Sequence, residues 1–456
     1  MNTDKQQKTK TSLEQGFEKI LTPFQAFIKD QTTSSVLLVI STLIAVIIAN
    51  TPLSARYEHL LGAELGLVFG DLSFTMSLQH WINDGLMAFF FFLIGMEIKR
   101  EILVGELKEF GRFMLVFTAA VGGMLVPAAV FIMLNAETVY AEGWGIAMAT
   151  DTAFVIGIMA LLGRHVPAAA FAFLTALAII DDLGAIAVIA MFYSESISTY
   201  HIGVCAILLM FMILANILGI RKPSVYFTSG VMIWLTMLGS GIHATIAGIL
   251  VAATVPARPK HTPGWFFKRI ENLLDRLKRI EKTRPSVNPI LGEPEQHALV
   301  EDVKDAAERA TTPLRRWERA LEHPISLFVL PVFALANAGI PLTTDSFTGF
   351  WFNTLSTGIV LGLVIGKSAG ITLFAWLALH LKIGHLPSSL GMRHVVGLAL
   401  LGGIGFTMSI FVSNLAFDDM PEVLLRAKIA ILTGSLISGA LGYLWLRFNT
   451  RDATGQ

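Results

Sequence analysis

The chain has 456 residues, of which 54% are hydrophobic and only 15% charged, and its 34 basic residues balance its 34 acidic ones. A mean hydropathy of +0.64 excludes an ordinary soluble domain and points to a chain that crosses a membrane many times. Zero net charge gives no basic surface for nucleic acid. The single cysteine, Cys205, rules out an intramolecular disulfide and a cysteine-built metal site. No phosphate-binding loop, dinucleotide fingerprint or zinc-protease motif appears, so we expect no enzyme and no cofactor.

Residues 1–32 form a polar N-terminal segment without a signal-peptide pattern. Within it Leu13, Phe17, Ile20, Leu21, Phe24 and Ile28 recur at helical spacing. They suit an amphipathic helix lying on the membrane surface, or equally one packed on protein. About 20 apolar residues are needed to cross a membrane. Stretches that qualify, or nearly do, run near 33–50, 81–104, 113–134, 143–162, 168–193, 201–219, 225–240, 241–256, 324–341, 351–380, 394–416 and 423–446. The expected fold is therefore an all-α polytopic membrane protein of about twelve spans. Spans one to eight lie in 33–256 and spans nine to twelve in 324–448, with a short tail at 449–456. The pair between 225 and 256 is separated only by Gly239-Ser-Gly241.

Between the first two spans, Leu65, Leu67 and Phe69 alternate with other residues, as do Leu72, Phe74 and Met76 beyond Gly70-Asp71. A two-residue turn between alternating runs reads as a β-hairpin outside the membrane. Its edge over 65–76 is suited to pairing with a second copy of the chain, and an inert loop is the alternative. Residues 257–323 form a charged insertion. One helical stripe runs from Phe266 to Ile280, prolines follow at 285, 289 and 294, and a second stripe runs from Leu299 to Trp317. Lys99, Arg100, Lys108, Arg112, Arg164, Arg221, Lys222, Lys382, Arg393 and Arg447 fall on one side of the spans. Arg56 falls on the other, with Glu137, Glu142, Glu195, Asp345, Asp418 and Asp419. Arg426 and Lys428 run against this bias. The basic side is expected to be cytoplasmic, with both termini there.

Charged residues deep in apolar spans cost several kcal/mol and commonly line ion or proton paths. The fifth span holds two adjacent carboxylates, Asp181 and Asp182, in Ala178-Ile-Ile-Asp-Asp-Leu-Gly184. The fourth holds Thr150 and Asp151, the tenth Lys367, and the second Asn83-Asp84 at one end with Glu97 and Glu101 at the other. Glu97 and Glu101 share a face at i, i+4, which an ordinary charged helix end also explains. His243 stands at the start of the eighth span, either as a pH-sensitive group or as a structural histidine. The eleventh span carries Gly402-Gly-Ile-Gly405, which invites an unwound segment. Interrupted fourth and eleventh helices would place helix ends near mid-membrane. Asp151 would neutralise facing N-termini and Lys367 facing C-termini.

Taken together, Trp81-Ile-Asn-Asp-Gly-Leu-Met-Ala88, Glu97-Ile-Lys-Arg-Glu101, Ala149-Thr-Asp151, the aspartate pair, Gly241-Ile-His-Ala-Thr245, Phe333-Ala-Leu-Ala-Asn-Ala-Gly339, Ile365-Gly-Lys367 and Gly403-Ile-Gly-Phe-Thr-Met-Ser-Ile410 resemble the bacterial NhaA-type sodium/proton antiporters. The resemblance covers about 33–448 apart from the insertion. It implies an inverted-repeat fold, of which this family is a known example and which is therefore not an independent reading. It implies that Asp182 and Asp181 are the central ion carboxylates and that Thr150 and Asp151 belong to a crossing of unwound helices with Lys367 at its other pole. It also implies pH-regulatory roles at the cytoplasmic mouth for Glu97, Glu101 and His243. Glu318 and Glu322 are candidates for sensor residues in the insertion.

The expected activity is electrogenic exchange of cytoplasmic sodium, and lithium, for external protons in the bacterial inner membrane. Asp182 is the main ligand, and Asp181 pairs with Lys367 when deprotonated, with the breaking of that pair carrying a second proton. Membrane lipid and a second copy are the expected partners. A sodium-coupled symporter of an organic solute, a cation channel, and a receptor or scaffold with a structural carboxylate cluster are the alternatives.

Overall fold

A computed structural model describes residues 31–69, 72–105, 109–163, 166–194, 197–283, 294–342 and 350–449. The stripe from Leu13 to Ile28, the Gly70-Asp71 turn, Lys108, Arg164, Glu195, Asp345, Pro285, Pro289 and the tail from 450 lie outside the described residues.

Helix α1 (Gln31–Ala49) bends by 115° into the short α2 (Ser54–Leu61). Strands β1 (Glu64–Phe69) and β2 (Leu72–Ser77) pair antiparallel with Leu67 opposite Phe74. A π-helical turn over Trp81–Leu86 leads into α3 (Met87–Val104), and α4 (Phe110–Asn135) follows. The fourth span begins as a 3₁₀ helix, Ala141–Ala147. It unwinds over 148–151 and resumes as α5 (Thr152–Leu162). Helix α6 (Ala168–Phe192) is unbroken and carries the aspartate pair. Then come α7 (Thr199–Ile217), α8 (Pro223–Leu238) and α9 (Ile246–Thr254). The turn between α8 and α9 uses Gly241 at φ 79°, a conformation open to glycine. The weakly divided stretch at 225–256 is thus two helices.

The charged insertion contains α10 (Pro263–Thr283) and α11 (Pro294–Ala310). The second stripe expected there does not run through to Trp317. It stops at Ala310, because Thr312 accepts a hydrogen bond from the Arg315 amide and Pro313 opens a new helix, α12 (Pro313–Pro324). Helix α12 continues through a π-helical turn, Ile325–Val329, into α13 (Leu330–Asn337). The ninth span therefore grows directly out of the insertion instead of starting near 324. The remaining helices are α14 (Thr354–Leu361), a π-helical turn at Gly362–Gly366, α15 (Lys367–His380), α16 (Met392–Gly402), α17 (Phe406–Ala416) and α18 (Pro421–Asn449). Among the described residues, seven helical segments are long and apolar enough to cross a membrane, or nine if each bent pair forms one span. This is an all-α, multi-pass membrane protein.

Its interior falls into two apolar clusters. The larger joins α4, α5, α6 and α14 to α18 with one side of α3 and α13, through residues such as Phe131, Leu174, Leu363 and Phe411. The smaller joins the other side of α3 to α7, α8, α9 and the start of the ninth span, through Met96, Met212, Ile233 and Val251. Within the larger cluster α4 and α15 cross backbone against backbone. A Cβ on Gly370 would lie 2.1 Å from the Gly122 carbonyl oxygen, and one on Gly122 would lie 2.4 Å from that of Gly370. Without an aqueous driving force between helices, such small-residue contacts supply the packing. Gly370→Val should therefore separate the two helices at a cost of ~1–3 kcal/mol and lower the unfolding midpoint in detergent. Gly264→Ala, where a Cβ meets open space, should leave the midpoint unchanged.

Candidate ion site at a crossing of unwound helices

Four helix ends meet inside the larger cluster. The 3₁₀ helix at Ala141–Ala147 and α16 both end there, and α5 and α17 both begin there. Free amides and carbonyls at such ends must be satisfied, and the aligned peptides leave about half a charge at each end. The two unwound segments join through one backbone bond, from the Asp151 amide to the Ile404 carbonyl at 2.7 Å.

Asp151 serves both N-termini. Its Oδ1 accepts from the Phe154 amide at 3.0 Å, capping α5. Its Oδ2 accepts from the Thr407 amide at 3.0 Å and the Thr407 hydroxyl at 2.6 Å, capping α17. Ser435 on α18 completes the second cap by accepting from the amides of Gly405 (3.3 Å) and Phe406 (3.2 Å). The carbonyl ends are met by donors. Lys367 donates to Met148, Ser409 to Ile146 at 2.6 Å and Ser438 to Leu400 at 2.6 Å, while the single hydroxyl proton of Thr150 is shared between the Gly402 carbonyl at 2.9 Å and Asp181 Oδ2 at 2.6 Å.

The glycines of the eleventh span act differently from the expectation. Gly403 (φ −74°) and Gly405 (φ −97°) have ordinary dihedrals. They are needed for close approach: a Cβ on Gly403 would lie 2.2 Å from the Leu363 carbonyl oxygen, and one on Gly405 would lie 3.1 Å from that of Ala149.

The aspartate pair projects from α6 against this crossing, and its two members have unlike surroundings. Asp181 Oδ2 accepts from Thr150 at 2.6 Å and from Lys367 Nζ at 2.6 Å. Among the described residues Asp182 receives one long bond, from the Thr152 hydroxyl at 3.4 Å. Both side chains are buried, and among the described residues neither Asp181 Oδ1 nor Asp182 Oδ1 has a hydrogen-bond partner. Unmet carboxylate oxygens at such depth require a counter-charge, either a proton or a cation. Carboxylate, hydroxyl and carbonyl oxygens suit a hard cation such as sodium. Lys367 is likewise buried, so losing either member of its pair with Asp181 strands a charge.

The remaining sequence candidates fall into two groups at opposite ends of α3. At one end Arg100 bridges Glu101 (2.6 Å) and Glu318 of α12 (2.7 Å), with Glu97 in electrostatic reach of both acids. Lys99 closes the end of α9 by donating to the carbonyls of Ala253 and Val255, each at 2.6 Å. At the other end, beside the hairpin, Asp84 lies 3.7 Å from His80 and in electrostatic reach of His243 and Asp418. His243 therefore does not join Glu97 and Glu101 at one mouth. Helices α3 and α9 run side by side in the same direction, with Gly95 against Ala252 and Gly248 against Ala88, which carries His243 to the Asp84 end.

Sequence reasoning passed over Thr152, Thr407 and Ser435. Thr407 stood in a recognised motif without a role, and Ser435 was one hydroxyl among many in an apolar helix. Ser435→Ala should strand two buried amides and cost ~1–3 kcal/mol. A lower unfolding midpoint with faster amide exchange at 403–407 is the expected result.

Residues 25–446 match the family model described as Na+/H+ antiporter 1. The chain is 44% identical over 433 residues to the Na(+)/H(+) antiporter NhaA 1 of Saccharophagus degradans, covering 95% of this chain and 93% of that one. It is 44% identical over 440 residues to the NhaA antiporter of Sulfurimonas denitrificans, covering 96% and 98%. It is also 43% identical over 445 residues to NhaA 1 of Shewanella denitrificans, covering 98% of each. By this match over most of its length and by these relatives, the chain belongs to the NhaA family of sodium/proton antiporters, which are transporters and not enzymes.

Proposed function

We propose that this protein is an electrogenic antiporter that exports cytoplasmic sodium, and lithium, in exchange for external protons. It works by alternating access at the Asp182 carboxylate, in the inner membrane of a bacterium. The observation that carries the reading is the difference between two adjacent buried carboxylates, one clamped by Lys367 and Thr150 and the other nearly without protein partners. Asp182 is the main ion ligand, and Asp181 and Thr150 supply further oxygens. A proton and a sodium ion satisfy the same oxygen, so each displaces the other. When the ion draws on Asp181, the pair with Lys367 opens and Lys367 gives up the second proton. Two protons against one sodium ion move net charge, and the membrane potential then drives sodium out. The two sites titrate as a coupled set. Asp151 anchors the two N-termini and is not a transported-ion ligand.

In this reading the hairpin side is external. The termini and the Glu97–Arg100–Glu101–Glu318 group are cytoplasmic, where these carboxylates regulate the exchanger by pH. Asp84 and His243 act at the external mouth. The full fold has twelve spans in inverted repeats, residues 257–323 are a cytoplasmic insertion, and the hairpin over 65–76 joins two copies.

In everted vesicles, sodium addition should dissipate a preformed acid interior. Asp182→Asn should abolish that response; a retained response sinks the site assignment. Lys367→Ala should lose the potential dependence of exchange, and unchanged electrogenicity removes the second-proton step.

A further inference from the structure

Between the crossing and the hairpin side lies a buried feature that the exchange chemistry does not use. Asn414 of α17 donates through Nδ2 to Asn337 Oδ1 at 2.8 Å, and Asn337 of α13 donates through its own Nδ2 to Asn83 Oδ1 at 2.7 Å. Asn337 also donates to the Phe333 carbonyl at 3.0 Å. Three amides from three spans thus form one chain across the protein. Asn414 stands seven residues beyond Thr407, two turns along the same face of α17 and about 10 Å towards the hairpin side. Phe411 lies between them, with its ring centroid 5.5 Å from that of Phe91 and 6.3 Å from that of Phe333. Asn337 is likewise one turn beyond Phe333. The amides therefore form a polar layer stacked on an aromatic one, both built from α17, α13 and the π-turn–α3 span. His80 precedes Asn83 on the way to the hairpin and lies 3.7 Å from Asp84.

The layer joins α17 to the second and ninth spans, each of which contributes to both apolar clusters. Asn414 belongs to α17, which starts at the crossing. Asn83 and Asn337 sit on the two spans that also line the smaller apolar cluster. Among the described residues Asn414 Oδ1 is buried without a hydrogen-bond partner. A closed layer with an unmet acceptor is weaker than a fully paired one and can be opened.

We propose that the Asn83–Asn337–Asn414 chain is the gate on the hairpin side: the Asn337–Asn414 bond closes the ion site to that side and must break in every transport cycle. The inference rests on the exchange reading above. Side-chain amides suit this role because they hold α17 to the second and ninth spans without a charge that would compete with sodium or protons. Their bonds exchange readily for water when the layer parts.

The test is a reversible tether. In a Cys205→Ser background, cysteines replace Asn337 and Asn414, and a short bifunctional methanethiosulfonate links them. The linked protein in proteoliposomes should lose sodium-driven proton flux at least tenfold, keep sodium-dependent thermal stabilisation, and recover flux on reduction. Flux at the unlinked rate after linking overturns the proposal. Asn337→Leu provides a second measure, since it breaks both amide bonds with little change in volume. Apparent sodium affinity from the hairpin side should rise roughly two- to tenfold while that from the opposite side falls; an unchanged pair of affinities also overturns the gate. Absence of sodium-driven proton flux in the unmodified protein would sink the exchange reading instead.

Discussion

Everything near the ion site depends on one constraint: four helix ends are held in an apolar interior, where bare backbone dipoles cannot remain uncompensated. Asp151 answers the two amide ends with one carboxylate. Lys367 answers one carbonyl end, and hydroxyls from Ser409, Thr150 and Ser438 answer the others. The compensation is unequal. The Asp151 carboxyl group sits between the N-termini, while the only cation at the C-terminal ends among the described residues is shared with Asp181. That sharing ties the backbone crossing to the aspartate pair. A change at Asp181 is felt at Met148 and, through Thr150, at Gly402, so ion chemistry and backbone geometry are coupled through two side chains.

The same arrangement explains why two neighbours on one helix differ. Adjacent helical residues point about 100° apart. Asp181 therefore meets Lys367 and Thr150, and Asp182 turns towards Thr152. Each keeps one oxygen without a partner among the described residues, but the other oxygen of Asp181 is clamped by two short bonds and that of Asp182 is held by one long one. A site that takes a small cation and releases it needs such incompleteness, because a carboxylate already satisfied by fixed donors binds an ion weakly and one with many added ligands releases it slowly.

Much of this is legible in the chain. Aspartates and a lysine in otherwise apolar spans are costly, and that cost, together with the clustered glycines, marks the crossing in the amino-acid sequence itself. The helix breaks at 148–151 and 403–405 lie where Thr150-Asp151 and the glycine cluster placed them. What the sequence conceals is three-dimensional. The glycines serve close approach and not unusual dihedrals, which only a neighbouring backbone reveals. His243 shares a motif-like setting with the acidic groups, but the common direction of α3 and α9 puts it at the opposite end from Glu97. Ser435 and Asn414 carry no signal, because isolated serines and asparagines in apolar helices read the same whether they cap, gate or merely pack, and the motifs that hold Asn83 and Asn337 do not say that the two bond to each other. The split at Thr312-Pro313 has a legible cap, but the apolar stripe on either side of it keeps the same period and masks the break.

The central claim is that a proton and a sodium ion compete for one buried carboxylate. Equilibrium sodium binding to the purified protein, measured across pH, tests it most directly. The account predicts that apparent affinity falls by about tenfold per pH unit on the acid side for each competing proton, levels off at alkaline pH, and loses this dependence along with binding in Asp182→Asn. Sodium affinity that is independent of pH, or binding that survives in Asp182→Asn with its pH dependence intact, would contradict it.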